Sequence, residues 1–134
     1  MVLGVAEFLP FKKKSFDLIL IVAALSLFKD PVQALRETAG VLKPGGQIVI
    51  GILDRNSLHG DFYESRKKEG RFSSEAKFLS TAEVSGWLTE LGFEKIKICQ
   101  TLFKQPEKIE RIELPQKGSG TGSFAVISAW RPVE

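Results

Sequence analysis

Phe16-Asp-Leu-Ile-Leu-Ile-Val-Ala23 and Gln47-Ile-Val-Ile-Gly-Ile-Leu53 are two near-continuous apolar runs, and the residues between them carry a helical repeat. Apolar runs of this length read as strands buried on both faces, as in a parallel sheet covered by helices. Between them Asp30 can cap a helix and Pro31 suits its first turn. Val32, Leu35, Ala39 and Leu42 recur at steps of three and four, which gives one apolar stripe. Lys43-Pro-Gly-Gly46 ends that helix. The residue before a proline avoids the helical region, and Pro-Gly fits the centre of a type II turn. Strand, helix, strand at this spacing predicts an α/β layered sheet with a parallel core.

The same reading extends downstream. Ser80 and Glu83 have capping-box spacing, Leu79 can staple to Val84, and Val84, Trp87, Leu88 and Leu91 form a stripe stopped by Gly92. Lys95 to Leu102 alternates as a strand near a sheet edge would. Phe103 to Gly122 reads as a long loop, and Ser123 to Trp130 as a closing strand. With no helix between them, the last two strands should pair antiparallel. Gly118-Ser-Gly-Thr-Gly122 looks like a phosphate-binding loop, but such a loop must follow a strand and open a helix. Here it precedes a strand, so it reads as a hairpin tip.

The totals narrow the class. The 134 residues suit one domain, with 43% hydrophobic and 26% charged residues, as in ordinary globular proteins. The longest apolar run, Leu18 to Leu25, is far short of the roughly 20 residues of a membrane-spanning helix. One cysteine, Cys99, excludes an internal disulfide and a multi-cysteine metal site, and fits a reducing cytoplasm. The net charge of +3 is mild. The basic runs Lys12–Lys14 and Arg66–Lys68 have acidic neighbours and read as solvated surface rather than a nucleic-acid interface.

One segment is more specific. Gly4-Val-Ala-Glu-Phe-Leu-Pro-Phe-Lys-Lys-Lys-Ser-Phe-Asp17, followed by Ala34-Leu-Arg-Glu37 and Val41-Leu-Lys-Pro-Gly-Gly46, resembles the class I S-adenosylmethionine-dependent methyltransferases of the ubiquinone and menaquinone biosynthesis type. The matched spacing covers Gly4 to Ile52. The family's sheet order is 3-2-1-4-5-7-6 with strand 7 antiparallel. The resemblance makes Met1 to Val5 the stub of strand 3, Phe16 to Ala23 strand 4, Gln47 to Leu53 strand 5, and the last two strands 6 and 7. The expected fold is therefore a partial Rossmann-like methyltransferase sheet, and residues 1–134 are expected to be the C-terminal half of a single incomplete domain. The family's glycine-rich loop and ribose-binding acid have no counterpart upstream of Gly4, so the chain alone is expected to be inactive.

The resemblance implies S-adenosylmethionine as cofactor and a small-molecule methyl acceptor. It places Val5 and Ala6 beside the adenine, with Leu9, Pro10 and Phe11 as its wall. It places Val22, Ala23 and Ala24 near the methionine part. Where Val5 stands the family often has aspartate, and valine cannot accept from the adenine amino group. The acceptor side is expected at the carboxyl ends of the strands. Asp54 and Arg55 follow the second apolar run, and His59 and Tyr63 lie in the polar insert beyond; Asp54, His59 and Tyr63 are the candidates for acid–base work. The competing expectation is a non-catalytic fragment or interaction module. Without strands 1 and 2, Asp17 to Ala23 would be an open edge with no proline or lysine inside it. Such an edge pairs with the stub, joins a second copy, or aggregates.

Overall fold

The computed structural model describes residues 2–57, 78–104 and 108–133. The elements are β1 (Phe16–Val22), α1 (Pro31–Val41), β2 (Leu42–Leu53), α2 (Thr81–Glu90), β3 (Glu94–Thr101), β4 (Gln116–Lys117) and β5 (Phe124–Trp130), with a short 3-10 turn at Leu25–Leu27. They form one sheet in the order β1-β2-β5-β3-β4. β1 and β2 are parallel, and β5 lies antiparallel between β2 and β3. The predicted α/β layering and the antiparallel closing pair are both present.

The core follows from the register. Ile21 pairs with Ile50, Ile50 with Ile127, and Ile127 with Ile98, so one isoleucine row crosses four strands. Ile48 and Ala129 make a neighbouring row, and Ile52 and Ala125 another. These side chains lie under α1 and α2, which supply Leu35, Val84 and Leu88 to the same cluster. Side chains alternate across a strand, so Leu18, Leu20 and Val22 point to the other face. They are 56%, 63% and 53% exposed.

The helix ends are built as predicted. Asp30 Oδ1 accepts from Gln33 N at 3.0 Å, and Pro31 opens the first turn of α1. Ser80 and Glu83 form the reciprocal capping box of α2, which satisfies two backbone donors that the helix leaves unpaired. α1 stops at Val41, where Arg131 Nη1 donates to the carbonyls of Ala39 (2.8 Å) and Leu42. Lys43–Gly46 then bulges out of the β1–β2 ladder, between the pairs Phe16–Leu42 and Leu18–Gln47. Gly45 has φ +79°, the value that the third position of a type II turn requires.

Two expectations are corrected. Met1 lies outside the described residues, and Val2–Val5 forms no strand ladder: Val5 makes only an isolated bridge with Phe8, whose N–H donates to Val5 O at 3.1 Å. That single turn contact ties Val5 back to Phe8, and the segment does not pair with β1. The described part of the loop after Phe103 is also more tied down than its composition suggests. Gln116–Lys117 pairs with β3, and the buried Gln100 clamps the glycine-rich tip. Gln100 Oε1 accepts from Thr121 N (3.0 Å) and Gly122 N (2.8 Å), and its Nε2 donates to Lys117 O (3.3 Å).

Gln100→Ala would leave the buried Gly122 N–H without an acceptor. It should cost about 2 kcal/mol of unfolding free energy, measured by urea denaturation, while Gln100→Glu, which keeps the accepting oxygen, should cost less.

Candidate functional site

Open α/β sheets bind ligands beyond the carboxyl ends of their parallel strands. In this chain that side holds the residues after Val22, the residues after Leu53, the loop after Thr101, and Ser123 at the start of β5. The sequence-derived candidates fall into two groups on that side.

The first group surrounds a cavity of about 550 Å³ lined by Gly4, Val5, Ala6, Glu7, Phe8, Leu27, Phe28 and Lys29. Val5 and Ala6, expected beside the adenine, both line this cavity. Val5, Phe8, Leu27 and Phe28 give apolar walls fit for a flat ring, and Lys29 contributes an exposed ammonium. No described group accepts from the Ala6 N–H, so that donor is available to a ligand. The volume is within the usual range for small-molecule sites. The cavity and its donor therefore fit the adenosine portion of S-adenosylmethionine.

Leu9 is not part of that lining. Its N–H donates to Glu37 Oε1 at 2.9 Å. Val22, Ala23 and Ala24 also stand outside it, at the end of β1, where Ala23 N donates to Gly51 O at 2.9 Å. Ala23 has φ +53°, a left-handed conformation that costs a residue with a Cβ about 1–2 kcal/mol. The chain turns there, and the Leu25–Leu27 turn that follows carries Leu27, Phe28 and Lys29 back to face Val5. Sequence reasoning missed Glu7, Phe8, Leu27, Phe28 and Lys29 as a lining set. The signal was weak: Leu25-Ser-Leu-Phe28 carries no titratable group, and its place depends on that one backbone turn.

The second group is at the end of β2. Asp54 is 3% exposed. Its N–H donates to Ser123 O (2.8 Å), and its Oδ1 accepts from Asn56 N (3.0 Å). Its Oδ2 and the Ser123 hydroxyl are buried and have no hydrogen-bond partner among the described residues. Arg55 is engaged elsewhere: its guanidinium pairs with Glu83 and its N–H donates to Leu79 O (2.9 Å). His59 and Tyr63 lie outside the described residues. Asp54 does not share the lining of the Val5–Lys29 cavity. Among the described residues, no three His, Cys, Asp or Glu side chains come together as metal ligands.

Comparison with known proteins gives four findings. Residues 1–50 match the family model described as a methyltransferase domain. An uncharacterized protein of Methanocaldococcus jannaschii is 43% identical over 129 residues, which are 96% of this chain and 62% of that protein. A solved structure from Thermotoga maritima, a SAM-dependent methyltransferase described as a possible histamine N-methyltransferase, superposes with a TM-score of 0.90. It is 41% identical, over 96% of this chain and 62% of that one. A tRNA U34 carboxymethyltransferase of Cellvibrio japonicus is 33% identical over 105 residues, 74% of this chain and 32% of the relative. The chain thus spans about three fifths of the length of the two proteins it resembles over 96% of its own length.

The strain at the end of β1 is testable. Ala23→Val should lower stability by about 1–2 kcal/mol, because a β-branched residue is a severe outlier at positive φ, whereas Ala23→Gly should not lower it. Thermal melts of the two variants would show the difference.

Proposed function

This chain has the class I methyltransferase fold with a methyltransferase-domain sequence at its front, and from that premise we propose that it serves S-adenosylmethionine-dependent methyl transfer to a small-molecule acceptor. The observation that carries the reading is the Val5–Lys29 cavity, where apolar walls and the unengaged Ala6 N–H come together. When bound, the cofactor supplies a methyl group already activated on a sulfonium. The protein's part is then placement and exclusion of water. Val5 and Phe8 would flank the adenine ring, Ala6 N–H would donate to it, and Val22–Ala24 would set the path of the chain beside the methionine portion. The buried carboxylate of Asp54 is the acceptor-side group, with a free oxygen for an N–H or O–H donor; His59 and Tyr63 remain candidates from the sequence.

The domain proposal follows from the sheet. Residues 1–134 act as the C-terminal part of a methyltransferase domain that further strands would complete beyond β1. A cytoplasmic setting belongs to the same reading, since the single cysteine is exposed and unpaired. No helix among the described residues is long and apolar enough to cross a membrane.

Titration calorimetry with S-adenosylhomocysteine tests the cofactor site. Transfer of labelled methyl from S-adenosylmethionine to quinone-like and phenolic acceptors by the domain completed with its N-terminal strands, run beside tRNA, tests the acceptor. Label on small acceptors is the expected result. Label on tRNA alone, the substrate class named for the Cellvibrio japonicus relative, would overturn the acceptor class.

A second reading, that the chain works as an interaction module, has one observation in its favour. Among the described residues only β2 pairs with β1, and Leu18, Leu20 and Val22 are exposed beside its open edge. A strand with free backbone groups and an apolar face recruits another strand. Self-association through Asp17–Ala23 should appear as a dimer or larger species in size-exclusion chromatography with light scattering, reduced by Leu20→Lys. A monomer at all concentrations, with fast hydrogen exchange along β1, would end this reading.

A further inference from the structure

The connection from Glu7 to Ser15 contains no helix and no strand ladder, yet it is tied down at four points, each of them on α1. Gln33 Nε2 donates to Glu7 O at 3.2 Å, and Leu9 N donates to Glu37 Oε1 at 2.9 Å. Lys14 N donates to Gly40 O at 3.0 Å, and Ser15 N to Val41 O at 2.8 Å. Positions 33, 37 and 40–41 follow at helical spacing and form one row along α1. Val41 at its end is buried, while Gln33 and Glu37 lie apart from the buried side chains of Ala34, Leu35 and Thr38.

The four ties differ in kind. Gly40 and Val41 are at the end of α1, where carbonyls lack helical partners and need some donor. Any backbone passing nearby can meet that need. The other two ties come from side chains, so the choice of residue at 33 and 37 creates them. They hold the residues on either side of Phe8, and Phe8, Glu7, Ala6 and Val5 are one wall of the cavity. Val5 and Phe8 are 57% and 73% exposed, so burial does little to fix this wall. Its place is set by the Val5–Phe8 turn and by the two side chains from α1.

We propose that Gln33 and Glu37 are positioning residues: by holding Glu7 O and Leu9 N–H they set the Val5–Phe8 wall and thereby the affinity of the cavity for the adenosine part of the cofactor. Neither side chain touches the ligand in this account; both act through the loop. The inference rests on the cofactor reading above.

The test uses the completed methyltransferase domain proposed above, with S-adenosylhomocysteine as the probe, calorimetry for affinity, amide exchange at Leu9 without ligand, and a thermal melt. Glu37→Ala should weaken binding about tenfold, as expected for losing one charge-assisted hydrogen bond, and should speed exchange at Leu9. The melting temperature should stay within a few degrees. Glu37→Gln, which keeps an accepting oxygen, should restore both readings, and Gln33→Ala should weaken binding in the same direction. Unchanged affinity in Glu37→Ala, or a Glu37→Gln variant as weak as Glu37→Ala, would overturn the positioning role. A large fall in melting temperature accounting for the lost binding would assign Glu37 to folding and overturn it as well. If wild-type chain does not bind the probe at all, the cofactor reading itself fails and this inference falls with it. Tight wild-type binding with an indifferent Glu37→Ala would overturn this inference alone.

Discussion

The parallel pairing of β1 with β2, in the register that sets Ile21 beside Ile50, is the constraint on which the remaining structure depends. Two parallel neighbours cannot be joined by a tight turn, so the chain must cross over one face. α1 is that crossover. Once the isoleucine row is under α1 and α2, the opposite parity of β1 is left on the other face. Burial and exposure along β1 are therefore two consequences of one register.

The crossover also links the two parts of the N-terminal motif. Gly4–Phe11 and Ala34–Glu37 are more than twenty residues apart, and in the fold they touch: Glu37 holds Leu9, and Gln33 holds Glu7. A helix needed to join two strands thereby sets the position of a loop at the ligand end of the sheet. The open face has its own gradient. Its rows run from Leu20 through Val49 to Ser128 and Lys97, and from Val22 through Gly51 and Val126 to Cys99. It is most apolar at β1 and grows polar toward β3, so the demand for a partner is concentrated at one edge.

The carboxyl side of the sheet separates two chemical environments. One is the half-open Val5–Lys29 cavity, with apolar walls and an unengaged backbone donor. The other is the enclosed end of β2, where Asp54 Oδ2 and the Ser123 hydroxyl have no partner among the described residues. Burying a polar atom without a hydrogen bond costs about 1–3 kcal/mol, so two such atoms on facing residues are a notable concentration in a small sheet. Arg55, which follows Asp54 directly, is bound to Glu83 and so fastens the end of β2 to the start of α2.

Periodicity and caps are local physics, and they were legible in the sequence. The apolar runs, the stripe of α1, Asp30 and Pro31 at its start, and the Ser80–Glu83 box each depend on neighbours within about one helical turn or one strand pleat. The motif from Gly4 to Gly46 likewise pointed to the fold. What needed the tertiary structure were the contacts between distant segments. Val5 bridges back to Phe8, and its segment does not pair with β1. Leu27–Lys29 join Val5 across the cavity because Ala23 turns the chain through a left-handed conformation that alanine gives no reason to expect. The Gly118–Gly122 tip is fixed by Gln100, about twenty residues away, and the end of α1 by Arg131, about ninety away. A single hydrogen-bonding side chain at such a distance leaves no periodic trace in the sequence, and only the folded chain shows which backbone group it meets.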